Sequence, residues 1–129
     1  MRRLLKTIYC RQGELFYTSN GQRTRLAGCD VRLEIMENSQ DIPTLGGYRV
    51  KKYQVTVVLC SDMEFTRPID VDFLKTVTAY DLSTDVQRSD GIFENLVLEN
   101  LIPTELEIGG EWSFELPFQP ELTKRLLSL

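Results

Sequence analysis

A strict period-two alternation, present twice, limits what this chain can fold into more than any other feature. In Asp30-Val31-Arg32-Leu33-Glu34-Ile35-Met36-Glu37, the apolar Val31, Leu33 and Ile35 fall on one side and Asp30, Arg32 and Glu34 on the other. In Glu111-Trp112-Ser113-Phe114-Glu115-Leu116-Pro117-Phe118, the four apolar side chains Trp112, Phe114, Leu116 and Phe118 oppose Glu111, Ser113 and Glu115. Residues two apart share a side only in extended chain, so both segments predict strands with one face on a core and one at water or an interface.

Further strands are predicted around these two. Leu4–Tyr9 and Glu14–Thr18 are candidates, and the second runs into Asn20-Gly21, a pair suited to the positive φ angles of a tight hairpin, with Arg23–Leu26 returning. Tyr53–Cys60 is β-branched, alternating at first and then apolar on both faces. Ile92–Leu101 places Phe93, Val97 and Leu101 on one side and Leu96 and Leu98 on the other, with Pro103 ending the strand and Gly109-Gly110 turning the chain. Around Asp70–Val77, a capped helix and an Ile-Asp-Val-Asp strand are both consistent with the residues, and Pro120–Leu129 predicts a terminal helical segment. The expectation is one domain over residues 1–129. It is mainly β, a sandwich or open barrel of about seven short antiparallel strands with one or two short helices at most.

Between the strands at Asp30–Glu37 and Tyr53–Cys60 lies Asn38–Lys52, which is far more than an antiparallel turn requires. Its Ile42, Leu45, Tyr48 and Val50 are too apolar for a solvated linker. Asp41, Ile42, Pro43, Thr44, Leu45, Gly46, Gly47 and Tyr48 are therefore the first candidates for contact with a partner.

Catalytic chemistry finds little support. The chain has no histidine, which removes Ser-His and Cys-His nucleophiles and histidine-based zinc sites. Cys10, Cys29 and Cys60 are an odd, widely spaced set with no Cys-x-x-Cys pair, so three free thiols in a reducing compartment are expected. Asp62, Glu64, Asp70 and Asp72 are the best case for a carboxylate or metal site. Their spacing breaks at Pro68, and Asp70-Val71-Asp72 lacks the glycine of a calcium loop, so a solvated acidic face is the favoured reading. Neither Gly46-Gly47 nor Gly109-Gly110 leads into a helix with a lysine, which makes both turns and not phosphate loops. No catalytic residue, metal ligand or cofactor is assigned.

Charge is unevenly distributed. Residues 1–60 carry ten Lys or Arg against five acids, and residues 61–129 carry five against fourteen. Such a split suits complementary faces in head-to-tail association. The net charge of −4 argues against a nucleic-acid-binding outer surface. No apolar run reaches the roughly 18 to 20 residues that cross a bilayer, and Met1–Lys6 lacks the apolar core of a signal peptide, so a cytoplasmic protein is expected.

Two stretches together resemble the tail-tube (core tail) proteins of long-tailed bacteriophages. One is Leu26–Ile35 followed by Asn38-Ser39-Gln40-Asp41-Ile42-Pro43-Thr44-Leu45-Gly46 and the strand Tyr53–Leu59, similar to a charged strand leading into a polar segment and long loop. The other is Ile92–Leu101 with Ile108–Phe118, similar to the family's closing hairpin; Glu14–Tyr17 with Asn20-Gly21 is similar to its opening one. About half of the chain is covered, in the family's order, while Asp62–Arg88 matches nothing recognisable.

The resemblance implies a virion structural protein that self-assembles into six-membered rings stacked as a tube, made in the cytoplasm and ending in the tail. The main tube subunit and a minor tail protein of the same fold both fit it. It further implies that Asp41–Tyr48 reaches a neighbouring subunit. Asp30, Arg32 and Glu34, or Glu111, Ser113 and Glu115, would line a lumen past which DNA slides without specific binding. The competing reading is a monomeric β-sandwich module that binds a peptide or carbohydrate through Trp112 or Tyr48.

Overall fold

Asn20 and Gly21 both adopt positive φ, 51° and 75°, the backbone that lets two residues join right-twisted strands. In this computed structural model, which describes residues 1–43 and 46–129, the pair joins β1 (Arg2–Ser19) to β2 (Gln22–Ile42). Both are much longer than the short strands expected. β1 stays in register with β2 by absorbing three irregularities, one of them between Cys10 and Gly13, where Gln12 takes φ 56°. Such bulges let a long strand bend around a core.

β3 (Tyr48–Leu59) returns along β2, and the two-residue β4 (Glu64–Phe65) pairs with Ala27 and Gly28 of β2. A single helical turn, α1 (Val71–Leu74), follows. Asp70 Oδ1 accepts from the Phe73 amide at 2.8 Å, an N-cap that decides the alternatives at Asp70–Val77 in favour of helix. β5 (Ala79–Gln87), β6 (Phe93–Leu106), β7 (Trp112–Leu116) and α2 (Pro120–Leu127) complete the chain. The class is as expected: mainly β, one antiparallel sheet of seven strands among the described residues, and two short helices. Among the described residues, no helix is long and apolar enough to cross a membrane.

The pairings run β1–β2–β3–β7–β6–β5 and return to β1, so six strands form a closed cycle. Closure depends on β6. Its first part, Phe93–Leu101, pairs with β5, and its second, Ile102–Leu106, pairs with β7. The interior is solid. Phe65, Tyr80, Trp112 and Phe114 pack with ring centroids 5.2 to 6.5 Å apart, and Leu15, Leu33, Val57, Leu82 and Leu98 are fully buried around them. α2 sets Leu126 into this core, and its Arg125 makes an ion pair with Glu94 of β6.

Three positions depart from the expectations. Leu101 is buried with Leu96 and Leu98, whereas Phe93 and Val97 are exposed. Asn100, at φ 56°, forms a bulge where the register to β5 shifts, and the extra residue turns Leu101 inward. Pro103 does not end β6, because it sits beside a second irregularity, a place where a strand tolerates a missing N–H. Phe118 lies outside the core, since the β3–β7 ladder stops at Leu116 and the chain turns towards α2.

Candidate functional site

The predicted long connection is an arm and not a loop. β2 and β3 continue past the barrel as a two-stranded ribbon paired in unbroken register: Asn38 with Lys52, Ser39 with Lys51, Gln40 with Val50, Asp41 with Arg49, and Ile42 with Tyr48. Its base is braced by β1 through the Ser39 amide, which donates to the Met1 carbonyl at 2.9 Å. Asp41 and Arg49 form an exposed ion pair at 3.0 Å. Pro43, Gly46 and Gly47 are at the tip; the candidate contact residues Thr44 and Leu45 lie outside the described residues.

Register gives the arm two unlike faces, because directly paired residues point the same way. Ile42, Tyr48, Gln40 and Val50 share one face, and Asp41, Arg49, Ser39 and Lys51 the other. Tyr48 is 64% exposed and Ile42 38%. Among the described residues, no element covers this apolar face.

Along the barrel the same face carries the residues proposed for a lumen. Arg32 of β2 is level with Val58 of β3, which is level with Ser113 of β7; likewise Glu34 is level with Thr56 and Glu115. The two alternating segments, eighty residues apart in sequence, are thus brought onto one outer surface. Arg32 Nε donates to Glu34 at 3.0 Å, and its guanidinium reaches Glu111 at 3.8 Å across the strand bearing Val58. The hydrogen bond to Glu34 raises the Arg32 pKa above its ordinary value. With Asp30, Glu34, Glu111 and Glu115 against one arginine, the surface is net negative.

A groove of about 660 Å³ opens where the arm leaves the barrel, between β3 and α2. Tyr53, Phe118, Pro120, Thr123 and Leu127 give it apolar walls, and Lys51, Lys52 and Lys124 ring it with positive charge. Sequence reasoning missed this site, because Phe118 and the arm were assigned to core and loop. Arg2 and Arg3 pair with Asn38 and Glu37 at the same end, so basic residues gather there. Further along β2, away from the arm, Glu14, Asp30, Asp62 and Glu64 line a shallow hollow with Arg25.

The acidic run is not assembled into a site. Asp62 and Glu64 face that hollow, while Asp70 caps α1 and Asp72 lies in its first turn. Among the described residues, no group of three or more Cys, Asp or Glu side chains is placed to hold a metal ion. The cysteines are free thiols. Burial pushes Cys10 up to about 11 and Cys29 up to about 12, so neither is a ready nucleophile at neutral pH. Trp112 is fully buried, its indole N–H donating to the Glu107 carbonyl at 3.1 Å, which corrects its assignment as a ligand-contacting aromatic. Tyr48 remains available for such contact. No protein-family model, curated protein or solved structure matches the chain.

Proposed function

We propose that this chain is a structural subunit that assembles with copies of itself, in the manner of the bacteriophage tail-tube proteins whose sequence pattern it resembles. The observation that carries the reading is the arm. An isolated two-stranded ribbon with both faces in water is marginal. This one presents Ile42, Tyr48 and Val50 on a face that no described part of its own chain covers. Packing against a neighbouring subunit would bury that face and hold the ribbon in place.

On this reading subunits form rings, six-membered as in the family it resembles, and rings stack head to tail. The barrel interior is packed, so the channel of the tube runs between subunits and not through any one of them. The negative surface of Asp30, Arg32, Glu34, Glu111, Ser113 and Glu115 suits the lumen wall, since it repels phosphate and lets DNA pass without being held. The partners are other copies and other tail proteins, and the chain works in the cytoplasm during assembly and in the virion tail afterwards.

Light scattering and negative-stain imaging across protein and salt concentrations test this directly, with rings or fibres expected. Replacing Asp41–Tyr48 with a short Gly-Ser turn should leave the β-sheet circular dichroism unchanged and abolish assembly. Lone particles under all conditions would instead favour a monomeric binding module that uses Tyr48.

A further inference from the structure

We propose that the groove between β3 and α2 is the socket for the β6–β7 turn of a second copy of this chain. The inference rests on the self-assembly reading and specifies one of its contacts. The turn is Glu107-Ile108-Gly109-Gly110-Glu111, entered from Glu105 and Leu106 at the end of β6, and its apex residue Ile108 is 54% exposed. The Gly110 amide and the Trp112 indole both donate to the Glu107 carbonyl, at 2.9 and 3.1 Å, and Gly109 takes φ 85°. An apolar knob is therefore held out on a preorganised turn, with Glu105, Glu107 and Glu111 beside it.

The groove is its complement. Phe118, 69% exposed, and Tyr53 offer apolar surface, and Lys51, Lys52 and Lys124 stand around it. Among the described residues none of these three lysines is in an ion pair, and neither Glu105 nor Glu107 is in one. Docking Ile108 into the groove would bury both exposed apolar groups and bring the unpaired carboxylates of Glu105 and Glu107 to the ammonium groups around it. Complementarity of this kind fixes register and speeds encounter more than it adds affinity.

Placement excludes the subunit's own turn. The turn precedes β7 and the groove includes Phe118 just after it, so five strand residues, roughly 17 Å of extended chain, separate them. One subunit cannot bring its own turn to its own groove. Contact between copies is heterologous, and each docked subunit presents a fresh turn and a fresh groove, so it propagates into rings or fibres.

A charge-exchange experiment decides the matter. Lys51→Glu with Lys124→Glu reverses the groove, and Glu105→Lys with Glu107→Lys reverses the turn. All four residues are on the surface, and circular dichroism checks that each variant folds. By sedimentation velocity, each double variant should need at least about tenfold more protein than wild type to assemble, and the quadruple variant should recover wild-type behaviour. If wild type assembles and either double variant assembles equally well, the socket is wrong while self-assembly stands. If wild type never assembles, both fall. A groove that binds oleate, loses it on Lys51→Glu with Lys124→Glu, and leaves assembly unchanged is a site for an anionic amphiphile, which also overturns the proposal.

Discussion

Gly13 shows how closely single atoms are fitted. A Cβ added there would lie 2.5 Å from Val31 Cγ2 and 2.8 Å from the Cys29 carbonyl oxygen, both anchored in β2. Gly13→Ala should therefore destabilise the fold by about 1–3 kcal/mol, read as a lower urea midpoint. The thiols act through protonation. Burial raises Cys10 and Cys29 from near 9 to about 11 and about 12, and Tyr80 from 10 to about 12. The unfolded chain gives up these protons before the folded one does, so their contribution is complete below pH 9 and is lost as pH rises towards 11 and 12. Thermal melts at fixed ionic strength should show a falling midpoint above pH 9. Substituting Cys10 and Cys29 with alanine should flatten that fall, whatever it does to the midpoint at pH 7.

Among the elements, those with local signatures were readable and those set by distant partners were not. The Asn20-Gly21 hairpin and the strands around Leu33 and Phe114 follow from turn chemistry and alternation, which need only near neighbours. The arm was not legible. Ser39-Gln40-Asp41-Ile42 and Tyr48-Arg49-Val50-Lys51 have no buried face, so the alternation that marks a strand on a core is missing, and their strand form comes from pairing with each other. Leu101 was misplaced because nothing in Glu99-Asn100-Leu101 announces that Asn100 will take φ 56°. The candidate surface was half readable: its two charged segments stood out, but only the Arg32–Val58–Ser113 ladder puts them side by side. Since the arm contacts no core, Ile42→Ser with Tyr48→Ser should change folding stability by less than about 0.5 kcal/mol. On the proposed self-assembly, the same pair should suppress assembly in light scattering, which would separate a role in association from any role in folding.

For the molecule as a whole, charge and closure matter most. Basic side chains crowd the end bearing the arm and the groove, while acids dominate the β6–β7 turn and the hollow beside β4. If copies associate through these opposed ends as proposed, assembly should weaken as salt rises from about 0.05 to 0.5 M, because exposed charges are screened over about a Debye length. A salt-independent assembly would assign the driving force to the arm's apolar face alone. The strand cycle has a separate consequence. Its final member in chain order, β7, is inserted between the third and the sixth strands. Until Trp112–Leu116 is in place, β3 and β6 border a vacant slot whose lips are unsatisfied backbone. A neighbour's equivalent segment has the same side chains and the same hydrogen-bonding groups. Strand exchange through this slot is therefore the misfolding route that the topology leaves open to crowded chains.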